Sequence, residues 1–296
     1  YAAETKERKR MDGHTLTKDK IAALLGPRRR ESNKGDNGHG LLLAGSGSMP
    51  GAACMAATAA LRAGIGTLKV LCPASAAAGL CALPEAMLAP LPGERWDACT
   101  EAFLRSYLDA ATCIAIGPGM GRAAETDGVL RLVLSAGKPV VVDADGLFAL
   151  ARNTEARAAL HGKVVLTPHF GEMARLLGIS IPEVRENQKA FALRSAAQWG
   201  CTVLLKGARS MVAAPDGRFA WNETGNPGLA KGGSGDILTG MTASLLAQGM
   251  EPFAACCCAV WLHGRAGDLA AAEKGRRGMT PGDLLEKLPY ALKEVE

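Results

Sequence analysis

From residue 41 onward one alternation repeats: a short apolar run, a glycine or an acid, then a longer helical pattern. LLLAG (41–45), TLKVLC (67–72), TCIAIG (112–117), PVVVDA (139–144) and KVVLTP (163–168) are apolar enough to be buried on both faces. Such runs mark a parallel sheet covered by helices. TVLLKG (202–207) continues the series. SMVAA (210–214), the turn PDG (215–217) and RFAW (218–221) predict a hairpin at the sheet edge. An Ala-rich helical segment ends near Gly64, and further helices are predicted over 236–248, over 252–273 and near the C-terminus. No repeat, low-complexity tract or long linker interrupts the pattern. The expected fold class is therefore α/β, one three-layer α/β/α domain over 16–296, with a mostly parallel central sheet and an edge hairpin.

Composition refines this picture. Of the 296 residues 48% are hydrophobic and 21% charged, as in an ordinary soluble globular protein, but only 4% are aromatic. A core of Ala, Leu and Val relies on close approach of backbones. The net charge of +5 sits entirely within residues 1–34, which hold ten Lys or Arg against five Asp or Glu. Residues 1–15 read as a flexible, basic, solvated arm, and the remaining chain has no basic footprint for nucleic acid. No run reaches the roughly 18 apolar residues of a membrane span. Nine cysteines show no CxxC pair and no His/Cys ligand spacing, which predicts buried, reduced thiols in a cytoplasmic protein. Asn222-Glu223-Thr224 spells a glycosylation sequon that has no meaning in that compartment.

Several strands end in glycine or an acid, at AGSG, IGPGMG, DADG, TPHFGE and LKGARS. Ligands of open α/β sheets bind outside the C-terminal strand ends, so a crevice lined by these tips is expected. Neither a Walker loop nor a GxGxxG fingerprint is present. The densest signal is GNPGLAKGGSGDILTG (225–240), with six glycines in sixteen positions. A helix starting at Asp236 would leave the amides of Gly232, Gly233, Ser234 and Gly235 free for an anion such as phosphate. A carboxylate beside that anion suggests a base that takes a proton from an attacking hydroxyl. The plainer alternative is an N-cap with glycines as loop.

The chain resembles the ribokinase-like superfamily, whose members carry a Gly-x-Gly-Asp element here, and is more closely similar to the NAD(P)H-hydrate dehydratases. The resemblance rests on HGLLLAGSGSMPGAA (39–53), LRAGIGTLKV (61–70), IGPGMG (116–121), VVVDADGL (140–147), LTPHFGEMARLLG (166–178), LKGARS (205–210) and NPGLAKGGSGDILTGM (226–241), in family order. It implies adenine-nucleotide-dependent dehydration of hydrated NADH or NADPH (the S form) as metabolite repair, with ADP or ATP as co-substrate and Mg²⁺ as cofactor. It implies that Ala52, Gly121, His169 and Asp236 contact the hydrated nucleotide. Lys206, Gly207, Ala208, Arg209, Ser210 and Gly235 would hold the AMP part of the co-substrate. Asp236 would be the base, with Gly233, Ser234 and Gly235 stabilising the transferring group. A homo-tetramer is implied as well. Phe170 departs from the family's usual Pro in TPHPGE, and the family's epimerase domain lies outside this chain.

Taken as residues alone, several of these positions keep two readings. His169 suits a carboxamide or sugar, or is a satisfied loop histidine. Glu172 suits a water of Mg²⁺, or pairs with the helix dipole and Arg175. Lys206 suits phosphate, or is a solvated strand-end lysine. Asp143 and Asp145 suit a turn or a supporting position. Two other functions share the same site: a small-molecule kinase acting on a vitamin-precursor alcohol such as hydroxyethylthiazole, and a non-catalytic adenine-nucleotide sensor, against which an intact Asp236 argues.

Overall fold

The computed structural model describes residues 14–80 and 83–296. The expected flexible arm falls on residues most of which lie outside that range. Nine strands form one sheet: β1 (His39–Leu43), β2 (Thr67–Cys72), β3 (Met87–Pro90), β4 (Cys113–Ile116), β5 (Val140–Val142), β6 (Val164–Leu166), β7 (Thr202–Leu205), β8 (Ser210–Ala213) and β9 (Phe219–Asn222). Their order is β3-β2-β1-β4-β5-β6-β7-β8-β9. Every pair from β3 to β7 is parallel, and β8 and β9 add the antiparallel hairpin. The order reverses between β1 and β4, which makes the C-terminal strand ends there the place where ligands of such sheets bind. β3 was not among the strands expected from the sequence. It is a four-residue edge strand with Met87 exposed and Pro90 at its end, too short and too open to show a periodic signal.

Successive strand residues face opposite layers. Leu42, Val70, Cys113, Ala115, Val141, Val165 and Leu204 belong to one core; Leu41, Leu43, Leu71, Ile114, Ile116, Val140 and Leu166 belong to the other. In the centre of the sheet the first face carries the smaller side chains, Cys113 and Ala115, and the second the larger Ile114 and Ile116. Small residues let helices approach, and the helix Ser234–Ala247 packs on that first face against Pro50–Arg62. Ala53, Ala56, Ala57 and Ala60 are buried there. A Cβ on Gly240 would stand 2.0 Å from the Ala56 carbonyl oxygen, so the seam is backbone on backbone and admits only glycine at 240. The low aromatic content and the Ala-rich core are two views of one packing mode.

The free edge of β9 is partly covered. Leu16 N–H donates to the Trp221 carbonyl at 2.8 Å, and Trp221 N–H donates to that of His14 at 2.9 Å. Asn222 is buried, its amide donating to the carbonyls of Thr224 and Val260, so the sequon is a packing element. Among the described residues no helix is long and apolar enough to cross a membrane.

Candidate active site

The helix carrying Asp236 begins at Ser234, two residues earlier than expected, which corrects the reading of Asp236 as a cap. The cap is Gly233, at φ 101°, a left-handed conformation that costs other residues energy, and it offers no side-chain bond. Asp236 lies inside the first turn. Ser234 N–H donates to the Lys231 carbonyl and Ile237 N–H to that of Gly233. Among the described residues the amides of Gly232, Gly233, Gly235 and Asp236 have no protein acceptor. The turn is braced from outside. His263, buried and pushed down to about 4 by that burial, is a neutral ring donating from Nε2 to the Ser234 carbonyl at 2.8 Å. Lys231 donates to the carbonyls of Arg277 and Met279, so its charge points away from the open amides.

Three groups from three strand ends, Asp143, Lys206 and Glu172, surround this turn. Asp143, 1% exposed at the end of β5, receives Lys206 Nζ at 2.7 Å on Oδ1 and Thr239 Oγ1 at 2.6 Å on Oδ2. Lys206 is thus largely buried in an ion pair, a correction to the reading of a solvated strand-end lysine. Its ammonium stands 3.4 Å from where a Cβ of Gly235 would be. Burial works against that charge, yet the Asp143 and Glu172 carboxylates outweigh it and hold the Lys206 pKa above the usual lysine value. Burial pushes Asp236 up to about 7, with the Asp143 charge adding and Lys206 opposing. Burial pushes Glu172 up to about 7 as well, again against Lys206.

His169 and Glu172 form a complete capping box on the helix Phe170–Leu177. Glu172 N–H donates to His169 Nδ1 at 3.1 Å, which fixes the neutral Nε2–H tautomer; His169 N–H donates to Glu172 Oε2 at 2.8 Å. Burial and the Lys206 charge lower the His169 pKa, in keeping with a neutral ring. Glu172 therefore pairs with its own cap rather than with Arg175, whose guanidinium lies over the Phe148 ring at 5.1 Å. Phe170 occupies the first helical position, where the usual Pro would also fit, so the cap is intact. Its ring closes on Gly207, where a Cβ would be 2.8 Å from Phe170 Cζ.

The remaining sequence candidates distribute around this centre. Gly121 N–H donates to Asp145 Oδ2 at 2.8 Å, tying the 117–121 loop to the DADG turn. Ala52, in the first turn of Pro50–Arg62, abuts Gly119 of that loop. Lys206 N–H donates to the Pro168 carbonyl, which docks the 206–210 turn beside His169. Ser210 Oγ closes that turn onto Gly207, with Ala208 and Arg209 between them. The Arg209 side chain is turned elsewhere: it pairs with Glu223 at 2.7 Å and stacks on Trp221 at 4.7 Å. Thr239 was missed by sequence reading. Its signal was its place one turn after Gly235, to whose carbonyl it also donates.

A family model described as NAD(P)H-hydrate dehydratase matches residues 40–290. The chain belongs to the NAD(P)H-hydrate dehydratase family. The bifunctional NAD(P)H-hydrate repair enzyme Nnr of Moorella thermoacetica is 44% identical over 277 residues, 91% of this chain and 52% of that protein. The chain spans about half the length of this curated relative. Among solved structures it is similar to the ADP/ATP-dependent NAD(P)H-hydrate dehydratase from Bacillus subtilis, co-crystallised with ATP and Mg²⁺. The TM-score is 0.81 at 33% identity, over 96% of this chain and 99% of that one. A ribokinase-like superfamily protein of Enterococcus faecalis aligns with TM-score 0.82 at 28% identity, over 95% of this chain and 96% of its own. The ribokinase-like, three-layer fold class expected for this dehydratase family member is the one observed.

Proposed function

We propose that this chain dehydrates hydrated NADH and NADPH, in their S form, back to NADH and NADPH, at the expense of ADP or ATP. The observation that carries the reading is a helix start with no side-chain cap bond, holding a carboxylate near neutral pKa beside a buried ammonium. Family membership supplies the substrate. Hydroxide is a poor leaving group and phosphate a good one, so phosphorylation of the ring hydroxyl precedes its loss. Asp236 takes the hydroxyl proton and the hydroxyl oxygen bonds to the terminal phosphorus of the nucleotide. The bridging P–O bond breaks, and AMP or ADP leaves. The ring nitrogen lone pair then expels phosphate as the C–O bond breaks, a proton leaves the adjacent carbon, and the dihydronicotinamide is restored. The open amides of Gly232, Gly233 and Gly235 stabilise the charge on the transferring group. Lys206 and the 206–210 turn hold the nucleotide, while Ala52, Gly121 and His169 receive the hydrated ring.

Among the described residues no group of three His, Cys, Asp or Glu side chains could hold a metal ion. The residues fit a Mg²⁺ carried on the nucleotide, which Glu172 would help to hold through a water. When bound, such an ion offsets phosphate charge. A homo-tetramer in the cytoplasm, with no nucleic-acid or membrane partner, belongs to the same reading, and sedimentation measures the assembly. The deciding assay mixes the protein with hydrated NADH, Mg²⁺ and ADP or ATP, following reduced-nicotinamide absorbance and free phosphate. Recovery of both above the blank is expected. Recovery no faster than the blank with either donor overturns the reading, and a stable phosphorylated alcohol in place of free phosphate would indicate a kinase.

A further inference from the structure

We propose that Asp143 is a positioning residue, which holds the Lys206 ammonium at the open start of the Ser234–Ala247 helix and keeps it off Asp236. The proposal rests on the dehydratase reading only for its activity readout. Lys206 leaves β7 and Asp143 ends β5, with β6 between them. Neighbouring strands lie about 4.8 Å apart, so the lysine spans two strand spacings to reach its partner. Both carboxylate oxygens of Asp143 are engaged, by Lys206 at 2.7 Å and Thr239 at 2.6 Å, and β5, β7 and the helix are tied at one point. The next residue, Ala144, is the one non-glycine at positive φ (48°) among the described residues. Backbone strain of this kind persists where the surroundings hold a side chain in place. Here it separates the two acids: Asp143 goes to Lys206 and Asp145 to the Gly121 amide.

A buried ion pair is a poor device for stability, because desolvation of both charges offsets their attraction. Its use is to fix a charge in space. Glu172 and Asp236 also attract Lys206. With Asp143 neutralised, the ammonium is free to pair with Asp236, which occupies the oxygen that must accept the hydroxyl proton. Losing one negative charge does not weaken binding of an anionic nucleotide. A purely structural role would instead raise KM and lower stability together.

The test is a double-mutant cycle with Asp143→Asn, Lys206→Met and the pair, measuring kcat, KM for ADP, Tm, and the Kd of ADP by calorimetry. Asp143→Asn is expected to lower kcat about 100-fold, with the Kd of ADP no weaker than in the wild type, and to change kcat less than about twofold in the Lys206→Met background. Additive losses, or a Kd of ADP more than threefold weaker in folded protein, overturn it. Should Asp143→Asn not fold, Thr239→Val removes the hydroxyl that bonds Asp143 and the Gly235 carbonyl without changing charge. It is expected to lower kcat about tenfold, with Thr239→Ser restoring it; an unchanged kcat in Thr239→Val overturns the proposal. If the wild type itself gives no turnover, the dehydratase reading fails, and the ADP Kd criterion alone decides the role of Asp143.

Discussion

Two helices start within reach of Lys206, and they treat their first amides in opposite ways. Phe170–Leu177 has a full capping box, in which His169 and Glu172 satisfy each other's backbone donors. Ser234–Ala247 has a glycine cap, no side-chain bond, and amides with no protein acceptor. Helix ends carry orphan donors that something must satisfy. Where side chains do so the start is structural; the open start at Ser234 is the one proposed above to receive a ligand. The buried carboxylates follow the same division. Glu172 gives one oxygen to a cap, whereas Asp236 has none of that work and its elevated pKa suits proton transfer.

The strongest way to break this comparison is Asp236→Asn. It is expected to lower kcat roughly 10²–10⁴-fold, as loss of a general base does. Its effect on stability has the opposite sign. Because the folded pKa is raised from 3.8 to about 7, the folded state holds the extra proton between those values, and stability falls as pH rises through about 7. The variant's Tm is therefore expected to exceed that of the wild type at pH 8, by about 2–5 °C, and to match it near pH 4. A lower Tm at pH 8 would show that Asp236 is holding the helix together.

A pH profile of the wild type sharpens the same contrast. kcat/KM should fall about tenfold per pH unit on the acid side, with a midpoint near 7. A flat profile from pH 5.5 to 8 would remove Asp236 from the role of base. Gly233→Ala addresses the cap itself. At φ 101° an alanine costs about 1–2 kcal/mol, measurable by urea unfolding, and distorts the open amides. Smallest is Glu172→Ala at pH 5.5, where the carboxyl is protonated and its burial carries no charge cost. Loss of its half of the capping box should cost about 1 kcal/mol, and Glu172→Gln clearly less.

Much of this was legible in the chain because it is written in local periods. The buried strands, the edge hairpin and the strand-end glycines all declare themselves within five or six residues. β3 did not, since a short edge strand has no core-facing repeat to reveal it. The helix start was misplaced by two residues because the positive φ of Gly233 is a tertiary choice; five other glycines share that stretch. The ion pair of Lys206 was not among its two readings because its partner lies 63 positions away and two strands across. Sequence order does not show which strand ends become neighbours.

The seam at Gly240 and Ala56 has a consequence for anyone who wishes to engineer this chain. At Gly240 the helix that carries Asp236 is seated main chain on main chain, so position 240 offers no side-chain volume to trade when the setting of Asp236 is to be tuned. A library at 240 would return almost only glycine.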